Sequence, residues 1–194
     1  MDIIQKQTDI DCEALSNLIL KKEPEIIKKY PPTGFNGEYT DGQTQLGSNS
    51  LTSRFYHFNV LSWDGTDLVK KTIRSGYEAY TGLIDTPIYV KCWANVMRKG
   101  DQIKPHLHDI GPTCYLGGHI CVQCDDTSTH YINPINQIND PMTYESKNDV
   151  GKVSIFPNNI PHYTDIQKSD KERITIAFDL MIENPNKDNY IRLI

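Results

Sequence analysis

The sequence predicts a mainly β protein with N-terminal helices and a jelly-roll core. Three observations carry this. Helical periodicity appears only before Pro87. From Pro87 onward, short apolar runs alternate with Gly-, Pro- and Asn-bearing turns, the texture of a sandwich or barrel. Two of those runs carry histidines, His106-Leu107-His108 and then His162, that converge only if distant strands face each other. A chain of 194 residues, 38% hydrophobic and 23% charged, suits one globular domain. We expect a single domain over 1–194, with 1–85 as a helical and loop part packed on a jelly-roll core at 86–182.

In chain order, residues 11–30 space Ala14, Leu15, Leu18, Ile19, Ile26 and Ile27 near a helical period, and Pro24 is expected to break that helix. Residues 31–50 hold Pro, Gly, Asn, Thr and Ser with few aliphatics and read as a loop, with Gly34–Ser50 a candidate lid. Phe55–Trp63 reads as a strand. Asp67–Tyr80 reads as a helix with Leu68, Val69, Ile73 and Tyr77 on one side. Ile88–Met97 is a long strand, followed by a turn at Arg98-Lys99-Gly100-Asp101. His106–His108 begins or lies within the next strand. Leu116–Gln123 follows, with Gly117-Gly118 allowing a bulge or a close backbone approach. Thr129–Asn133, Lys152–Phe156, His162–Ile166 and Arg173–Met181 complete the set.

Composition narrows the function. The net charge is −5, and no Lys/Arg patch interleaves with aromatics, so nucleic acid is not favoured. No apolar run reaches membrane-spanning length, and no signal peptide is visible. Five cysteines in irregular spacing suggest a reducing compartment, and the expectation is a cytoplasmic protein. Cys121 and Cys124 have CxxC spacing, but positions i and i+3 of a regular strand point to opposite faces, so a structural role is expected for them. No heptad pattern marks a partner helix, and oligomeric state is not readable.

The chemistry concentrates in a few residues. His106 and His108, two apart in an extended backbone, project to one side. Iron, manganese and zinc need two or three imidazole or carboxylate ligands meeting at a point, and His162 would be the third. A hairpin pairing Ile166 with Arg173 would pair His162 with Ala177 and turn His162, Arg173 and Thr175 to one face, leaving Ile174, Ile176 and Phe178 for packing. An arginine on the metal side suits a bidentate clamp on a carboxylate. His57, His119 and His130 lack such partners and are expected to be structural.

At these residues the sequence resembles the Fe(II)/2-oxoglutarate-dependent oxygenases, in particular a branch of bacterial and phage members with His-x-His in place of His-x-Asp. The resemblance covers roughly 55–182. It is carried by Cys92–Asp101, His106-Leu107-His108, Ile155-Phe156-Pro157 leading to His162, and Glu172-Arg173-Ile174-Thr175-Ile176-Ala177-Phe178. It implies a double-stranded β-helix, a cupin-like jelly roll, in which His106, His108 and His162 hold Fe(II), with no catalytic side chain beyond these ligands. It also implies that Arg173 pairs with the distal carboxylate of 2-oxoglutarate, that Thr175 donates a hydrogen bond to it, and that Asn95 stands behind or beside this co-substrate. The implied reaction is a dioxygenase hydroxylation of a C–H bond with O2, releasing succinate and CO2. A peptide side chain such as proline is one substrate class. A three-histidine cupin-like metalloenzyme of other chemistry and a non-catalytic jelly-roll binding module are the alternatives. Two points stay open in the sequence: whether Asp109 replaces His108 as a ligand, and what Tyr115 does.

Overall fold

The computed structural model describes residues 2–32, 44–108, 113–133, 142–185 and 188–194. Most of the candidate lid and all of Asp109 lie outside these. Among the described residues, two helices and nine strands follow one another as β1 (Ile4–Gln7), α1 (Cys12–Lys29), α2 (Asp67–Thr81), β2 (Ile88–Met97), β3 (Cys114–Gln123), β4 (Ser128–Ile132), β5 (Thr143–Lys147), β6 (Lys152–Pro157), β7 (His162–Thr164), β8 (Arg173–Met181) and β9 (Ile191–Leu193). The strands form a six-stranded sheet of order β1-β6-β3-β8-β2-β9 and a three-stranded sheet of order β5-β4-β7. All strand pairs are antiparallel. This is the jelly roll expected, with both helices ahead of its core.

Alternation along β8 explains how the layers sort. Ile174, Ile176, Phe178 and Leu180 join Leu15, Ile19 and Ile26 of α1 and Val69, Ile73 and Tyr77 of α2 in one apolar cluster on the outer face of the large sheet. Each such side chain contributes about 1.5–3 kcal/mol on full burial. Arg173, Thr175, Ala177 and Asp179 therefore face the opposite way, towards the small sheet, and every residue of β8 is buried. A strand covered on both faces whose inner row includes Arg and Asp signals a polar site between the sheets.

Several sequence expectations need correction. Pro24 does not break the first helix: α1 runs unbroken from its Asp11 cap to Lys29. Anchors on both sides of the proline hold it, Ile26 in the core and the largely buried Glu23, which accepts from both terminal nitrogens of Arg98 at 3.0 and 2.7 Å. Phe55–Trp63 is not a strand. It lies between and within two short 3-10 turns, Thr52–Arg54 and Val60–Ser62. Asn59 imposes the second, accepting from Leu61 N through its side chain while donating to Val90 O. β7 and β8 are not a hairpin. His162 pairs with Tyr131 of β4, and Ala177 pairs with Trp93 and His119. The segment between β7 and β8 crosses from the small sheet to the large one, tied to the turn after β2 by Gln167 N to Asp101 O and Gly100 N to Gln167 O, each 2.8 Å. His162, Arg173 and Thr175 still share the inner space, because they face each other across it.

Cys121 and Cys124 are a further correction. The β3–β8 register slips between Cys121 and Gln123, so the strict alternation of a regular strand does not carry through to Cys124, whose thiol donates to Asn148 O at 3.4 Å. All five cysteines are free thiols. Gly117 and Gly118 serve close approach rather than the bulge: a Cβ on Gly118 would collide with Ser154 O and the Phe178 ring. No helix among the described residues is long and apolar enough to cross a membrane.

Candidate metal centre

His106 and His162 form a hydrogen-bonded antiparallel bridge, N to O at 3.1 Å in both directions. Cross-strand partners share a face, so their rings meet, with centroids 4.3 Å apart. His108, two residues on, comes round on the same side, its ring centroid 5.1 Å from that of His162. One ligand atom from each of the three histidines lies within 4.8 Å of the other two, a set that could hold a metal ion. The edge of Phe156 packs on both His108 and His162, and Trp93 lies against His108.

The outer ring nitrogens are all engaged. His106 Nδ1 faces Lys104 O at 2.8 Å and His162 Nδ1 faces Ile160 O at 3.2 Å. A carbonyl only accepts, so each Nδ1 carries the proton and each Nε2 keeps a free lone pair. His108 Nδ1 is 2.8 Å from the buried Asp179 carboxylate. Fixing the distal nitrogen in this way is how proteins orient metal-binding histidines. Gly117 makes room for it, since a Cβ there would fall against the His108 imidazole. The donor set and its tautomers fit a divalent transition metal.

Protonation is suppressed where a metal would need neutral ligands. Burial, then the charge of His108, pushes His106 down to about 4. Burial, then His106 and His108, holds His162 well below its ordinary value. His119, expected to be structural, sits on the inner wall 6.5 Å from His162 and stacked on Tyr131. Burial, then Arg173, pushes it down to about 3. The unfolded chain takes up these protons as pH falls below about 6.5, while the folded protein refuses them until near 4 or below. Stability is therefore full above that upper limit and lost as pH falls through the window. Metal-free protein is expected to melt about 5–10 °C lower at pH 4.5 than at pH 7, and His119→Phe to flatten part of that slope. An unchanged slope in the variant would remove His119 from this account.

Arg173 lies deeper in the same space and is 1% exposed. Its Nη2 donates to Thr129 Oγ1 at 3.2 Å and its Nη1 to Met97 Sδ at 3.6 Å, while Nε has no partner. Among the described residues no carboxylate pairs with it. Burial accordingly pushes its pKa down. A buried guanidinium with two weak neutral acceptors and an orphaned N–H is costly unless an anion completes it. Beside it, Thr52 Oγ1 donates to Asn95 Oδ1 at 2.6 Å, and Asn95 Nδ2 donates to Thr175 Oγ1 at 3.3 Å. That chain leaves the Thr175 hydroxyl proton for a further acceptor. Asn95 and Thr175 are cross-strand partners.

The remaining residues sort plainly. Tyr115 lies at the register slip at the start of β3, 37% exposed, with its hydroxyl against Tyr77 of α2, away from the imidazoles. His57 stacks on Tyr30, and His130 pairs with Asp165 at 2.8 Å. Thr129 and Asp179 were not singled out in the sequence. The available signal for Asp179 was a charged residue in an apolar strand, in phase with Arg173 and Thr175.

Residues 91–179 match the family model described as "Putative 2OG-Fe(II) oxygenase", a stretch that contains every residue of this site except Thr52. A family of this kind uses Fe(II), 2-oxoglutarate and O2. A comparison with curated proteins finds no match. Among solved structures, the fold is similar to that of a prolyl-4-hydroxylase from Pseudomonas putida, at 12% identity and TM-score 0.56, covering 92% of each chain. It is also similar to the viral collagen prolyl hydroxylase of Paramecium Bursaria Chlorella virus-1 in its 2OG complex, at 14% identity and TM-score 0.56, covering 93% of this chain and 96% of that one. A third likeness is to SnoK, a non-heme alpha ketoglutarate dependent carbocyclase of nogalamycin biosynthesis, at 10% identity and TM-score 0.60, covering 99% and 92%.

Proposed function

We propose that the protein is a 2OG-Fe(II) oxygenase, the family whose model matches residues 91–179, and that it hydroxylates a C–H bond of its substrate. His106, His108 and His162 hold Fe(II) through their Nε2 atoms. Arg173 takes the distal carboxylate of 2-oxoglutarate, with the Thr175 hydroxyl as a second donor. When bound, the metal supplies the oxidising chemistry, with O2 consumed and succinate and CO2 released. The chain's own residues bind, orient and dry the site. The Nδ1 contacts fix the ligand tautomers, Asn95 aims the Thr175 proton, and Phe156 and Trp93 keep water from the imidazoles.

The observation that carries this reading is Arg173, a buried cation with an orphaned Nε and no acidic partner among the described residues. A dicarboxylate supplies what it lacks. A peptidyl side chain such as proline is the substrate class we favour, because two of the similar folds are prolyl hydroxylases. The carbocyclase likeness marks the limit of that support, since one fold hosts several reactions.

The test is anaerobic titration of Fe(II) into metal-free protein with 2-oxoglutarate present. We expect the weak visible charge-transfer band of a 2-oxo acid chelate at one iron per chain. Tight iron binding without that band would remove 2-oxoglutarate and favour a three-histidine metalloenzyme of other chemistry.

A further inference from the structure

We propose that Asp179 supplies, through His108, the negative charge that a carboxylate ligand brings to the more usual two-histidine, one-carboxylate iron site. The inference rests on the reading of His106, His108 and His162 as ligands. It makes Asp179 a positioning residue, one step behind the metal.

The three imidazoles differ in what holds their outer nitrogen. His106 and His162 donate to neutral backbone carbonyls. His108 alone donates to a carboxylate, at 2.8 Å, with the two side chains 2% and 3% exposed. Among the described residues this is the single hydrogen bond of the Asp179 side chain. A buried carboxylate with one donor is expensive as a structural element. Apolar residues would pack β8 at less cost, as Phe178 and Leu180 do on its other face. Burial is tolerated if a cation stands beyond the imidazole, because the carboxylate then interacts with it through the ring.

The surroundings are arranged around this pair. Both strands flanking β8 contribute, since Asp179 lies opposite Gly117 on β3 and Lys91 on β2. Gly117 leaves open the space that the His108 ring fills. Lys91 is 2% exposed and holds its ammonium over Phe55 and Tyr56, 3.8 and 3.9 Å from the ring centroids, with the positive charge directed to those faces. The Asp179 carboxylate itself faces His108. A carboxylate on Nδ1–H fixes the tautomer and raises the electron-donating power of Nε2. Three neutral imidazoles alone would leave a divalent ion with its full charge in a dry site. With Asp179 behind one of them, the formal charge of the group matches that of two histidines and one carboxylate.

The test compares Mn(II) affinity, as a redox-inert stand-in for Fe(II), in the native protein and in Asp179→Asn, which keeps the shape and removes the charge. We expect the Kd to rise about 10–100-fold while the melting temperature of the metal-free protein does not fall. Nitrogen NMR of the His108 side chain should show the Nδ1–H tautomer dominant in native protein and less so in the variant. The double variant His108→Asp/Asp179→Asn moves the charge into the ligand position, and it should bind Mn(II) more tightly than Asp179→Asn alone. The double variant should also hold Mn(II) within about tenfold of native protein, the comparison that decides the matter if Asp179→Asn does not fold. Native affinity in a folded Asp179→Asn protein, or a double variant that binds Mn(II) no more tightly than Asp179→Asn or far more weakly than native protein, would overturn the proposal. Native protein that takes up no Mn(II) would instead overturn the ligand reading and this inference with it.

Discussion

Arg173→Met is expected to raise the Kd of 2-oxoglutarate between about 30-fold and a few thousand-fold, the effect of removing about 2–5 kcal/mol of buried charge pairing. The same substitution should leave the metal-free protein at least as resistant to heat as the native one. The reason is the state of the guanidinium before any acid arrives: 1% exposed, bonded to a threonine hydroxyl and a thioether, with Nε orphaned. A methionine of similar length removes that desolvation cost and packs beside Met97, so stability and binding should move in opposite directions. Calorimetry of the metal-free protein and titration with 2-oxoglutarate in the presence of Mn(II) would read both. A Kd within about threefold of native would sink the assignment of Arg173 as the acid-binding group.

His162→Ala is expected to cost the metal more than the 10–100-fold seen when a partner behind a ligand is removed, and to abolish the chelate band altogether. The backbone bridge to His106 should survive, because both of its hydrogen bonds run between main-chain groups. The variant is therefore expected to fold, with position 162 of β7 still paired with Tyr131 of β4. The two substitutions separate the site into its halves. Loss of Arg173 leaves the metal and loses the acid, whereas loss of His162 loses both. Equilibrium dialysis of the metal followed by the 2-oxoglutarate titration distinguishes them. A His162→Ala protein that holds one equivalent of metal at native affinity would show that the ion is ligated elsewhere.

The parts of this architecture legible in the sequence were those governed by period. Alternation in β8 separates Ile174, Ile176 and Phe178 from Arg173 and Thr175, and it held because the strand is regular over that span. His106 and His108 share a side for the same reason, although only one bridge, rather than a strand, fixes them. What failed was pairing. Whether β7 returns beside β8 or crosses to the other sheet depends on Gln167 and on the turn at Gly100, contacts between segments far apart in the chain. The slip at Cys121 is invisible for the same reason, since a bulge is decided by the partner strand. β1, β5 and β9 are too short, or too polar on the exposed face, to stand out. His119 and Asp179 were hidden by their setting, each a single polar residue in a strand that otherwise reads as packing.

The order of the large sheet has one more consequence. β1 and β9 are its two outermost strands, so the first and last stretches of regular structure each close one border of the sheet. Each covers a row of backbone donors and acceptors that would otherwise invite another chain to add on. Five strand spacings of about 4.8 Å put these borders roughly 24 Å apart. A tether joining the two ends would have to span that distance across the sheet, and trimming either end would uncover a sticky margin: β6 at one side, β2 at the other.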